Sequence, residues 1–256
     1  MKNTQNESLR VTARSRLIFA LDIGGGMDEV LSWVARLKDH VGWFKVGKES
    51  FTLYGPDIVR QITSQGSRVF LDLKFHDIPN TVARAAEGAM QIGASMFNVH
   101  ALGGRKMMEE TVSSVQRKAA ATGKTAPVIL AVTVLTSLND DDLRAFGFNG
   151  SVGDVVLTLS KMAQDAGVTG VVASAQDVEA IRNVCGPQFV IVTPGIRGML
   201  KIQGDDQKRT LSPGEAIRRG ADYLVVGRPI RAAEDPELAA EEILADISQG
   251  LRSREH

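Results

Sequence analysis

The densest run of chemically active side chains is Asp72-Leu73-Lys74-Phe75-His76-Asp77. In an extended strand, residues two apart project to the same side, so Asp72 and Lys74 are expected to share one interior face. A Lys placed between carboxylates is favoured in its charged form by the opposite charge. An ammonium is a poor Schiff-base nucleophile and a competent proton donor. The plain alternative is a structural ion pair, yet charges are seldom buried without a partner or a task. A second run, Gly227-Arg228-Pro229, combines a glycine that lets backbone N–H groups approach an anion with an Arg whose planar fork matches phosphate. Pro194-Gly195-Ile196-Arg197 repeats that chemistry. Asp22, Lys45, Asn98, His100 and Thr133 to Thr136 are further polar groups that end apolar runs. Taken singly, each has a bland reading as a helix cap or a solvated charge.

The elements that must position these groups are short apolar runs at 17–21, 43–46, 68–73, 95–99, 128–134, 170–173, 189–192 and 223–226. They are apolar on both faces, as parallel strands covered by helices are. Amphipathic runs at 27–40, 56–64, 81–92, 106–121, 152–166, 176–184, 213–219 and 236–251 read as helices. Strict alternation of eight strands and eight helices predicts an α/β fold, a single (β/α)8 TIM barrel over 15–256 after a flexible polar tail at 1–14. An open doubly wound sheet is the runner-up, but GxGxxG fails after the first strand, where Gly24 and Gly26 are followed by Glu29. Loops of a barrel at the C-terminal ends of its strands build active sites, so the long stretches 136–151 and 193–212 are expected there.

Composition narrows the function. The 256 residues carry 30 Lys+Arg and 30 Asp+Glu, without the basic excess of a domain built to hold duplex nucleic acid. One cysteine, Cys185, excludes an intramolecular disulfide and cysteine-clustered metal sites, and it reads as a small buried apolar residue. The four His residues show no paired metal-ligand spacing. The longest apolar run, 127–135, is far short of the ~20 residues of a membrane helix, and the N-terminus has no secretory h-region. A cytoplasmic protein with neither nucleic-acid nor membrane partners is expected.

The run Asp72 to Thr81, DLKFHDIPNT, resembles the signature of the orotidine 5'-phosphate decarboxylase family. With FALD at the first strand, FKVG at the second, TVLTS at the fifth, PGIR at the seventh and VVGRPI at the eighth, the resemblance extends from Leu17 to about Pro236. It implies a barrel that converts orotidine 5'-monophosphate to UMP in de novo pyrimidine biosynthesis, with no cofactor or metal, as a homodimer with shared active sites. It makes Asp72 and Lys74 the catalytic pair, with Lys74 the proton donor, and places Asp77, a further catalytic residue, and the substrate-binding Thr81 in the partner subunit's site. Asp22 and Lys45 match positions at the ribose and the charged network, Lys45 among the catalytic groups. Thr136 matches a pyrimidine-contacting hydroxyl, Arg197 and Arg228 the phosphate ligands, and Gly227 the adjacent backbone. The family's Gln is assigned to Gln207, with Gln203 the alternative, because the run Gly204 to Arg209 is one residue longer than the family's and Gly198 stands where Pro is usual. Two other readings stay open. One is a Mg²⁺-dependent sugar-phosphate decarboxylase or aldolase of the same barrel superfamily. The other is a non-catalytic barrel that binds nucleotide phosphates.

Overall fold

The computed structural model describes residues 2–196 and 211–254, with side chains from residue 7. Its elements are α1 (Lys2–Arg16), β1 (Leu17–Ala20), α2 (Met27–Leu37), β2 (Trp43–Gly47), α3 (Lys48–Tyr54), α4 (Pro56–Ser64), β3 (Arg68–Phe75), α5 (Pro79–Gln91), β4 (Met96–His100), α6 (Arg105–Thr122) and β5 (Val128–Val132). They continue with α7 (Asp140–Ala145), α8 (Val152–Asp165), β6 (Gly170–Val172), α9 (Val178–Cys185), β7 (Val190–Pro194), α10 (Pro213–Arg218), β8 (Tyr223–Val226), α11 (Arg228–Arg231) and α12 (Pro236–Arg254). The strands join in sequence order into a closed barrel. Registers such as Ile18↔Trp43, Ile18↔Val225 and Phe97↔Ile129 are parallel. This is the (β/α)8 architecture that the alternating pattern predicts. Leu17, Ile18 and Phe19 of β1 are wholly inaccessible, and β2 is buried along its length. Strands covered on both faces cannot alternate polar and apolar residues, which is why these runs are almost continuously apolar, Lys45 being the exception in β2. Among the described residues no helix is long and apolar enough to cross a membrane.

The chain forms two compact units, Met1–Val69 with Thr193–His256, and Phe70–Val192. In the first, the segment expected to be a flexible tail at 1–14 is instead helical, as α1. The helix packs on α12: Ala13 is fully buried, Arg10 is ion-paired with Glu241, and Glu241 also accepts from His40 Nδ1 at 2.7 Å. Polarity misleads here because a surface helix docked along one narrow edge needs few apolar residues. The segment contains no Gly or Pro to break it.

In the second unit, the stretch expected to be a long loop at 136–151 contains α7. Asn139 and Asp142 form a reciprocal capping box at its start, and Ser151 and Asp154 form another at the start of α8. β3 runs on to Phe75, beyond the expected end at 73. Cys185 is buried as expected, and burial pushes its thiol up.

Glu215 braces α10 of the first unit from within. Its carboxylate accepts from Arg218 and Arg219, and these bonds hold it at about 2, well below the usual carboxylate range. A depressed acid stabilises the fold fully above its unfolded value, here 4.5, and that contribution is lost as pH falls toward about 2. Glu215→Gln is therefore expected to lower the urea-unfolding midpoint at pH 6, and the gap from wild type should close as pH falls through this window. A gap independent of pH would contradict it.

Candidate active site

In the first unit, parallel pairing brings the C-terminal ends of β1, β2 and β8 to one edge. Lys45 on β2 is 8% exposed, and its ammonium donates to both oxygens of Asp22, at 2.9 and 3.1 Å. Burying an ammonium is costly unless it is paired and hydrogen-bonded, and the two-oxygen contact meets that need. The backbone that carries Asp22 is held from two sides. The hydroxyl of fully buried Ser50 donates to the Leu21 carbonyl at 2.7 Å, and the Arg231 guanidinium donates to the Asp22 carbonyl. Gly47 leaves the room this pair requires. A Cβ there would stand 2.6 Å from Asp22 Oδ1 and 3.0 Å from Lys45 Nζ. At the β8 end, Gly227 precedes α11, and a Cβ on it would lie 3.2 Å from the Ala20 Cβ. Arg228 is exposed, on the first turn of α11.

In the second unit, Lys74 Nζ donates to Asp72 Oδ1 at 2.6 Å. The pair forms as expected, though plain strand alternation is not the cause. Lys74 has φ +53°, the left-handed region that non-glycine residues seldom occupy. The register with β4 moves from Leu71↔Phe97 to Phe75↔Val99, so four steps along β3 match two along β4. This is an irregularity of the bulge kind, which re-aims side chains. A left-handed lysine costs of order 1–3 kcal/mol and persists only where its surroundings over-determine it. Asn98 of β4 supplies that constraint: its Oδ1 accepts from the Lys74 N–H at 2.8 Å, and its Nδ2 donates to Asp72 Oδ1 at 2.7 Å.

The other expected residues lie as follows. Lys74 is ion-paired with Asp72. Asp77 is exposed and accepts from the Ile78 N–H at 2.6 Å. Thr81 is exposed in the first turn of α5, and Thr136 is exposed in the turn after β5. His76 follows β3 as a loop residue, but it also stacks on His100, with ring centroids 5.2 Å apart. The two histidines line a largely apolar cavity of about 290 Å³ with Leu135, Leu138, Phe146 and Phe148. Arg197, Gln207 and its alternative Gln203 lie outside the described residues. Asn98 was legible only as a polar residue ending a strand. Nothing in its type or spacing distinguishes a strut from a cap.

A closed parallel barrel carrying buried and half-buried charge pairs at its strand ends defines a (β/α)8-barrel enzyme. The chain belongs to the orotidine 5'-phosphate decarboxylase / HUMPS family, whose model matches residues 15–243. It is 65% identical, over 93% of this chain and 95% of the relative, to the orotidine 5'-phosphate decarboxylase of Syntrophus aciditrophicus. It is 51% identical to that of Syntrophotalea carbinolica, over 94% of this chain and 98% of the relative. A crystal structure of orotidine 5'-phosphate decarboxylase from Lactobacillus acidophilus matches with TM-score 0.79 at 37% identity, covering 90% of this chain and 97% of that one.

Gly47→Ala is expected to push the Lys45 ammonium off Asp22 and to destabilise the fold by about 1–3 kcal/mol, the usual cost of overpacking. Urea unfolding with a crystal structure of the variant reads both. An unchanged pair at unchanged stability would refute the close-approach role of Gly47.

Proposed function

We propose that the chain decarboxylates orotidine 5'-monophosphate to UMP, a step of pyrimidine biosynthesis, using its own side chains without metal or cofactor. The observation that carries the mechanism is the 2.6 Å Asp72–Lys74 pair on an irregular strand. The relatives at 65% and 51% identity bear the decarboxylase name, which favours this reading over the Mg²⁺-dependent sugar-phosphate enzymes. Heterolysis of the bond between ring carbon 6 and the carboxylate releases CO₂ and leaves the electron pair on carbon 6. A fixed ammonium at that carbon stabilises the developing charge and then transfers a proton from Lys74 Nζ to it. Lys74 is left as a neutral amine, which solvent reprotonates. The Asp72 carboxylate holds the ammonium in place and, in this reading, lies near the departing carboxylate.

The remaining residues serve binding. Asp22 and Lys45 take the ribose, and Lys45 extends the charged network of the catalytic groups. Thr136 takes the pyrimidine, and Gly227 with Arg228 takes the phosphate through backbone N–H and guanidinium, with Arg197 and Gln207 as further ligands. Exposure of Arg228 suits a group that waits for an anion. Phosphate binding remote from the reacting bond assists catalysis by positioning the substrate. One catalytic domain over 15–256 and a cytoplasmic location complete the reading.

The active form is a homodimer in which Asp77 and Thr81 enter the partner's site. Exposure of both residues fits this role, Ile78 between them is exposed too, and the exposed Leu102, Leu135 and Phe146 line one cavity with His76. Apolar exposure of this kind on strand-end loops marks an interaction surface.

Purified protein in EDTA is expected to consume orotidine 5'-monophosphate, with undiminished rate on removal of Mg²⁺. Lys74→Ala should lose several orders of magnitude in kcat/KM, beyond the ~10²–10⁴ of general-acid loss alone, because charge and proton go together. A Lys74→Ala enzyme within about tenfold of wild type, free of host enzyme, would sink the assignment. Separately, mixing inactive Lys74→Ala with inactive Asp77→Ala should restore activity, since a hybrid dimer has one site with both native residues. Subunits that exchange and remain inactive would rule out shared sites.

A further inference from the structure

Asn98 is wholly inaccessible, between Phe97 and Val99 in a strand whose neighbours are core. A carboxamide in such a place is unfavourable unless its polar atoms are matched. Both ends are matched, and both partners belong to the reacting pair. The oxygen takes the Lys74 backbone N–H, and the nitrogen gives a proton to Asp72 Oδ1. The partners also fix which end is which, because an N–H requires an acceptor and a carboxylate requires a donor. The Lys74 N–H accepted by Asn98 lies where the β3–β4 register breaks between Leu71 and Phe75. The amide thus stands in for a ladder bond at the one non-glycine residue with positive φ among the described residues.

We propose that Asn98 is a positioning residue of the decarboxylase, whose single amide holds the Lys74 backbone in its left-handed conformation and the Asp72 carboxylate against the Lys74 ammonium. The inference rests on the reading of Asp72 and Lys74 as the catalytic pair. Among side chains of this size, only the amide offers an acceptor and a donor at once at every pH. Leu fills the volume and leaves a buried N–H and a carboxylate oxygen without their partner. Asp accepts from Lys74 but sets a second carboxylate against Asp72.

That last difference provides the test. In Asn98→Asp, the new carboxyl takes the place of an amide hydrogen-bonded, among the described residues, to the Asp72 carboxylate and the Lys74 backbone N–H. At low pH one proton shared between the two carboxyls restores the missing hydrogen bond. As pH rises that proton leaves, and the two carboxylates repel. The kcat–pH profile is expected to gain a descending limb absent from wild type, falling about tenfold per pH unit over part of the range, as loss of one proton requires. Asn98→Ala should lower kcat by about 10²-fold with KM within about threefold, since a misplaced reacting group costs turnover while phosphate binding is intact. Circular dichroism and thermal unfolding report whether each variant is folded, and if Asn98→Asp does not fold, the kcat-against-KM split of Asn98→Ala decides. A wild-type-shaped profile in Asn98→Asp, or equal proportional effects on kcat and KM in Asn98→Ala, would overturn the proposal. Asp72→Ala and Lys74→Ala in the same assay separate the two levels. If these retain activity, the catalytic reading fails; if they lose it while the Asn98 variants behave as wild type, only the positioning role fails.

Discussion

The ion pair between Lys74 and Asp72 exists because β3 gives up its regular register to make it. Four residues of β3 answer to two of β4, and Lys74 takes up a backbone conformation that its own side chain disfavours. Such a conformation is stable only if neighbouring groups hold it from several directions. The fully buried Asn98 does so through hydrogen bonds, and the Phe75 and Phe97 rings, 6.1 Å apart, pack around the same crossing. The chemistry of one strand is therefore supported by the packing of the next. That is the arrangement a precise site needs, with reacting groups on rigid elements whose rotamers are set by hydrogen bonds behind them.

The Lys45–Asp22 pair meets a related requirement by other means. Here the backbone is regular, and the constraint is space. Gly47 omits a side chain, Ser50 and Arg231 secure the carbonyls at the end of β1, and the ammonium reaches both oxygens of Asp22. The two lysines also differ in exposure, 10% for the Lys45 side chain against 28% for Lys74. The roles proposed for them agree with this difference, since a proton donor has to meet its substrate and recover its proton from solvent, whereas a network charge has only to stay where it is.

Much of the fold was legible because barrel strands have no polar face. Runs such as Leu17 to Ala20 and Val128 to Val132 are apolar throughout, and intervening helices must be amphipathic, so order and type of elements follow from periodicity. What periodicity missed was short or polar. α3 begins at Lys48 directly after β2 without a linker, α7 depends on a capping box at Asn139, and α1 docks along so narrow an edge that its composition reads as a tail. Of the candidate site, the strand-end positions of Asp22, Lys45, Asp72, Lys74, Gly227 and Arg228 were readable, because each polar residue or glycine stands where an apolar run ends.

The sequence by itself determined the alternation of strand and helix, the family, and which charged residues fall where strands end, since these depend on local pattern and on residue type. Only the tertiary structure decided how they meet. Alternation placed Asp72 and Lys74 on one side of an ideal strand, but their contact depends on a register break, a left-handed lysine and an asparagine 24 residues away from it in the chain. Left-handed backbone has no marker in a lysine's identity, and a buried amide bridging two partners looks in sequence like any other polar residue. Both are set by which atoms lie opposite each other when neighbouring strands pair, a property that no single segment of the chain contains.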